Sequence, residues 1–152
     1  MATPNSLPAY TKVFKGAGVE VTAANTKSDG AGTIGTDIFL VGTVEATIGG
    51  YLRNIVTYIT GTTAATASTA TVVRYFWSTQ ASGATTAANT HPMGEFAVAS
   101  QSADNSGTAT FPVAVLNFQG VIPAGASILV TNHAAPAANT KLKTEAFWGE
   151  YI

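Results

Sequence analysis

The sequence predicts an all-β chain, an antiparallel β-sandwich of jelly-roll-like form with about eight main strands. Three observations predict it. Alternating and β-branched runs recur, while helical periodicity is nearly absent. The runs are separated by stretches rich in Gly, Ser, Asn and Ala, which are turn and loop compositions. No helical segment stands between them, as a parallel sheet would require, so the strands pack as a sandwich or close into a barrel. An immunoglobulin-like sandwich is the alternative to the jelly roll.

In chain order, "YTKVF" (10–14) is a possible short strand and "GVEVTA" (18–23) an alternating one. "TDIFLVGTVEA" (36–46) is a strong strand pattern in which Gly42 marks a bulge or a close approach. Gly49-Gly50 reads as a hairpin turn, since both residues tolerate positive φ. "GYLRNIVTYIT" (50–60) then alternates, with Tyr51, Arg53, Ile55, Thr57 and Ile59 on one face and Leu52, Asn54, Val56 and Tyr58 on the other. "TATVVRYFWST" (69–79) sets Val72, Arg74 and Phe76 against Val73, Tyr75 and Trp77, so only one of these sets is expected in the core.

"MGEFAVAS" (93–100), "GTATFPVAVLNF" (107–118), "ASILVTN" (126–132) and "KLKTEAFWGEYI" (141–152) complete the set. Pro112 lacks an N–H, which places its strand at a sheet edge or at a bulge. "IPAG" (122–125) predicts a tight turn with Pro123 at its second position and Gly125 at a positive φ. The connections 24–35 and 80–92 are long, and the second has room for a short helical turn.

The chain has 152 residues, the size of one domain, divided here into an extended arm (1–9) and a single sandwich (10–152). It has 0 cysteines, which excludes thiolate metal sites and cysteine nucleophiles. Charged residues make up 10%, against about 25% in an average soluble domain, and Ala and Thr together about a third. A surface with so few strongly hydrated groups is covered by another protein at little desolvation cost. The formal net charge is −1 and the cations are scattered, which argues against nucleic acid as a partner. No apolar run is long enough to span a membrane, and "MATPNSLPAY" has neither the basic nor the apolar region of a signal peptide.

The tetrapeptide "AANT" occurs at 23–26, 87–90 and 137–140, at unequal intervals that no repeat architecture uses. Each copy follows a predicted strand, and Asn there suits a turn by adopting αL or bonding to its own backbone. With strands reversing direction, the first and third copies share one end of the sandwich, and Asn25, Lys27, Asn139 and Lys141 form a loop rim there. The middle copy lies at the other end.

Candidate chemistry is sparse. The eight acids are dispersed, His91 and His133 fall in predicted loops without metal-ligand spacing, and no Ser sits in a nucleophile elbow. The glycines of "GAGVEV" and "GAGTIG" do not make a strand-to-helix phosphate turn. The expectation is a protein that is not an enzyme and holds no cofactor or metal. Aromatic residues at 75–77 and at Phe147, Trp148 and Tyr151 suit core and subunit contacts, or the stacking of sugar rings.

"MATPNSLPAYTK", "VTAANTKSDGAGTIGTDIFLV" and "VIPAGASILVTN" together resemble a family of small virion proteins of tailed bacteriophages. The likeness runs loosely over most of the chain and rests on turn-and-strand pieces. It implies a capsid decoration, or cement, protein: a β-sandwich clamped on the capsid exterior, with the major capsid protein and further copies of itself, as homodimer or homotrimer, as partners. On this reading Pro4, Leu7 and Tyr10 of the arm, with Trp148 and Tyr151, are contact residues. The competing readings are another virion component, such as a tail, neck or fibre protein with receptor or glycan binding, and a free carbohydrate-binding module.

Overall fold

A computed structural model describes residues 11–62, 66–103 and 112–151. These form thirteen strands and no helix: β1 (Thr11–Val21), β2 (Gly32–Thr33), β3 (Phe39–Thr43), β4 (Gly50–Gly61), β5 (Thr66–Ala67), β6 (Thr71–Ser78), β7 (Ala84–Thr85), β8 (Thr90–Val98), β9 (Ser102–Ala103), β10 (Pro112–Leu116), β11 (Gly120–Ile122), β12 (Ser127–Asn132) and β13 (Thr140–Tyr151). The pieces expected at 10–14 and 18–23 are one continuous strand, and the connection 80–92 contains β7 and a turn rather than a helix.

Two antiparallel sheets face each other. The first has the order β1-β13-β4-β10, with β11 also paired to β4, and the second β3-β12-β6-β8. Counting the eight long strands alone, the first pairs with the eighth, the second with the seventh, the third with the sixth and the fourth with the fifth. Consecutive strands β3 and β4 lie in different sheets, so Gly49-Gly50 joins a crossover rather than a hairpin. Gly49 takes a φ of 85°, and Gly50 lies where a Cβ would come within 2.7 Å of the Gly149 carbonyl oxygen. The crossover is capped by Glu45, whose carboxylate accepts from the N–H groups of Ile48 and Thr47 at 2.7 and 2.8 Å.

The "IPAG" turn forms one residue later than its sequence suggests. Ala126 N–H donates to the Pro123 carbonyl, so Pro123 is the first residue of the turn, while Gly125 has the positive φ, 69°. Pro112 sits in the edge strand β10, at a bulge between Pro112 and Ala114. Gly42 adjoins a bulge in β3, and a Cβ there would lie 2.5 Å from Cη2 of Trp148.

The core between the sheets includes Leu52, Ile55, Ile59, Val73, Tyr75, Ile128, Val130, Leu142, Ala146 and Trp148. Leu52 joins Ile55 and Ile59 there, against the simple alternation, because β4 bulges. Asn54 pairs with Phe147 and Leu52 with Trp148, leaving Arg53 as the extra residue. Alternation restarts after a bulge, so Tyr51, Arg53 and Asn54 all turn to the outside. Within the core, Thr57 bonds the Tyr75 hydroxyl at 2.6 Å and Thr144 at 2.8 Å, tying β6 to β4 and β13. Desolvation raises the Tyr75 hydroxyl to about 12, and the bond from Thr57 opposes this only in part.

Tyr75 and Phe76 are both buried, at 0% and 1% exposure, although they point to opposite faces of β6. The reason is a strap, residues 25–38, laid over the outer face of the second sheet. It packs Ile38 against Phe76 and Leu129 in a second apolar cluster. Asn25 holds one end: its N–H donates to the Asn132 carbonyl at 2.7 Å, its Nδ2 to the Ala31 carbonyl, and its Oδ1 accepts from Lys27 N–H. β2 pairs with β7, and the Thr85 hydroxyl donates to the Gly30 carbonyl at 2.7 Å, holding the other end. Gly30, at φ 73°, passes so close that a Cβ would lie 2.5 Å from Thr90 and 3.1 Å from the Phe76 ring.

Candidate interaction surface

The outer face of the first sheet has no strap among the described residues. Phe147 points outward from β13 and stacks on Phe14 of β1, with ring centroids 6.2 Å apart and planes at 15°. Phe14 is 61% exposed. Gly16 and Gly18 lie beside them on β1, and a Cβ at Gly16 would come within 3.3 Å of the Phe147 ring. The missing side chains let Phe147 and Glu145 lean over the edge strand.

Next to the ring pair lies an open cleft of about 460 Å³, lined by Phe14, Tyr51, Arg53, Asn54, Asn117, Gln119 and Phe147. Three elements build it. The β4 bulge turns Tyr51, Arg53 and Asn54 outward together, a known use of bulges. The link between β10 and β11 supplies Asn117 and Gln119, and Gln119 is held at φ 48° with its N–H donating to the Arg53 carbonyl. A non-glycine residue in that region is strained by about 1–3 kcal/mol, and such strain concentrates at working surfaces. Among the described residues the side chains of Tyr51, Arg53, Asn54, Asn117 and Gln119 have no hydrogen-bond partner. The cleft thus offers three amides, a guanidinium and a phenol beside two stacked rings. It contains no carboxylate or imidazole.

The sequence-derived contact residues fare differently. Pro4, Leu7 and Tyr10 lie outside the described residues. Trp148 is 4% exposed in the core and donates from Nε1 to Glu150 at 3.2 Å, so it presents no contact surface; the outward ring of this pair is Phe147. Tyr151 is half-buried where β13 pairs with the start of β1.

Of the loop rim, Asn25 is turned inward at 4% exposure as the anchor of the strap, and Lys27 stands exposed at the start of that strap. Asn139 is exposed at φ 62°, and Lys141 pairs with Glu20 at 3.1 Å. The first and third AANT copies lie at one end, since Asn25 bonds Asn132, which lines the same small crevice as Thr140 and Lys141. The second lies at the opposite end, where Ser78 pairs with Thr90. The three Asn residues serve three different turns: an Oδ1 bond two residues ahead at Asn25, an Oδ1 bond from Thr86 N–H at Asn89, and an αL backbone at Asn139.

His91 is in β8, not in a loop, and its ring stacks on Trp77 at 4.0 Å; His133 is exposed beyond β12. Among the described residues no group of three or more His, Asp or Glu is placed to hold a metal ion, and no helix is long and apolar enough to cross a membrane. The cleft residues went unnoticed in the sequence because a bulge assembles them; the one available signal was the paired aromatic positions Phe14 and Phe147. No protein-family model and no curated protein matches the chain.

Proposed function

We propose that this is a structural, non-catalytic virion protein of a tailed bacteriophage, a jelly-roll sandwich that binds the capsid exterior and stabilises the shell as a decoration protein. One observation carries the reading: no described segment covers the outer face of the first sheet, and that face groups Phe14, Phe147, Tyr51 and Arg53, residue types enriched at protein interfaces. The nested strand pairing supports the jelly roll, and the family resemblance of the loops supports the capsid. The major capsid protein would be the partner, and the protein would reach the virion from the host cytoplasm. Many modest contacts repeated by shell symmetry would then add up through avidity.

Mixing the purified protein with empty expanded capsids and counting copies per shell tests this. Saturable, symmetry-matched binding that drops about tenfold or more in a Phe14→Ser/Phe147→Ser double variant is the expected result. Absence of binding to every form of the shell would refute it. The cleft itself favours a second reading, a virion component that binds host glycans, because amides beside aromatic faces suit sugar hydroxyls and ring faces. Thermal stabilisation by a glycan, lost in Asn54→Ala, would favour that reading.

A further inference from the structure

We propose that β1 is the pairing strand of a homodimer, in which two copies join edge to edge through antiparallel β1 strands to make one continuous sheet. The sandwich has four sheet edges, and three of them are blunted in ways that stop another strand from adding. β10 begins with Pro112 and is bulged, and its neighbour β11 has 3 residues. β3 has 5 residues and a bulge between its pairings with Ile128 and Leu129. β8 contains Pro92 and is bulged between Pro92 and Gly94. β1 alone is long, 11 residues, with no proline, and among the described strands it pairs only with β13. Its single irregularity lies at its start, between Thr11 and Val13, which leaves Val13–Val21 regular.

A second copy of the same strand fits this edge. Full overlap of two Val13–Val21 stretches in antiparallel order has one solution, with the dyad at Ala17. That register keeps every opposed pair on one face of the sheet, as an antiparallel ladder demands. It sets Gly16 against Gly18 of the second copy, so no side chain crowds the outer face beside the dyad. Lys15 faces Val19 and Phe14 faces Glu20, so no like charges meet. The strand end that is most exposed, Val13 at 39% and Phe14 at 61%, gains neighbours from the second copy. Such pairing needs no capsid and holds whether or not the virion reading does.

The chain has 0 cysteines, which makes single-cysteine crosslinking clean. In Ala17→Cys the two dyad-related Cα atoms would lie about 4.5–5.5 Å apart, inside disulfide range. Mild oxidation is expected to give a covalent dimer, whereas Val115→Cys at the opposite edge is expected to give none. Sedimentation of the full chain is expected to show a dimer that Phe14→Glu, facing Glu20, weakens about tenfold or more, while Phe14→Lys, which loses the same ring, retains it. A protein that stays monomeric up to millimolar concentration overturns the proposal. So does equal crosslinking at both positions, or a dimer indifferent to residue 14 yet lost on deleting residues 1–9, which would show that the arm and not β1 of the second copy is the occupant.

Discussion

Phe76 and Phe14 both point away from the central core, one from the second sheet and one from the first, yet the first is 1% exposed and the second 61%. The residue type and the strand alternation are the same. What differs is cover: residues 25–38 fold over Phe76 and Leu129, and no described segment folds over Phe14, Phe147 and Tyr51. An outward aromatic on a strand therefore has no fixed meaning. Under a strap it is part of a second small core, and on a bare sheet it is free for a partner.

The contrast breaks most clearly by truncation. Phe76→Ala is expected to cost about 3–5 kcal/mol in urea unfolding, the range for emptying a closed aromatic site. Phe14→Ala should cost less than about 1 kcal/mol, because only a partly exposed stacking contact is lost. Equal losses would mean that the two faces are alike in energy after all.

The strap itself can be released at its anchor. Asn25→Ala removes a buried side chain that donates to the Ala31 carbonyl and accepts from Lys27 N–H, and should cost about 2 kcal/mol. Hydrogen exchange is then expected to rise at 25–38 before it rises in β4 or β13. Uniform exchange across the molecule would show that the strap is not a separable cover.

Between the two faces, Tyr75 reports on the shared core. Its hydroxyl is raised to about 12 because burial disfavours the phenolate. The folded protein holds this proton more tightly than the unfolded chain, whose tyrosine ionises near 10, so stability should be level below pH 10 and fall as pH rises towards 12. Tyr75→Phe should cost about 1 kcal/mol at neutral pH and flatten that alkaline loss. The smallest effect is expected at Glu45, where the N–H groups of Ile48 and Thr47 hold the carboxyl below its ordinary value. Stability contributed there is present above that ordinary value and is lost as pH falls, so Glu45→Gln should differ from the parent at pH 7 and converge with it in acid.

Much of the architecture was legible in the residues. The alternation in 50–60, the aromatic run at 71–78 and the turn around Gly125 place strands and a break with little ambiguity, and Pro112 marks an edge by its missing donor. The face assignments were not legible. One extra residue at Arg53 reverses the parity of β4, and no local composition announces it. The strap escaped for a related reason: 24–35 is mostly small and polar, and its one large apolar residue, Ile34, does not by itself signal that the segment packs with Ile38 over Phe76. The candidate surface inherits both difficulties. Trp148 looked like the outward ring and Phe147 is, because register, not residue type, decides which of two adjacent rings turns outward.

The last strand, β13, lies in the middle of the first sheet, between β1 and β4. During synthesis β1 must wait for more than a hundred residues before β13, its one partner among the described strands, exists. Until then β1 is unpaired and the flank of β4 opposite β10 and β11 stays open. Pairings this distant in sequence close slowly, and the protein should become cooperative only once β13 has left the ribosome. A nascent chain lacking 140–151 would be a collection of half-sheets prone to meeting one another, whereas twelve further residues complete the sandwich.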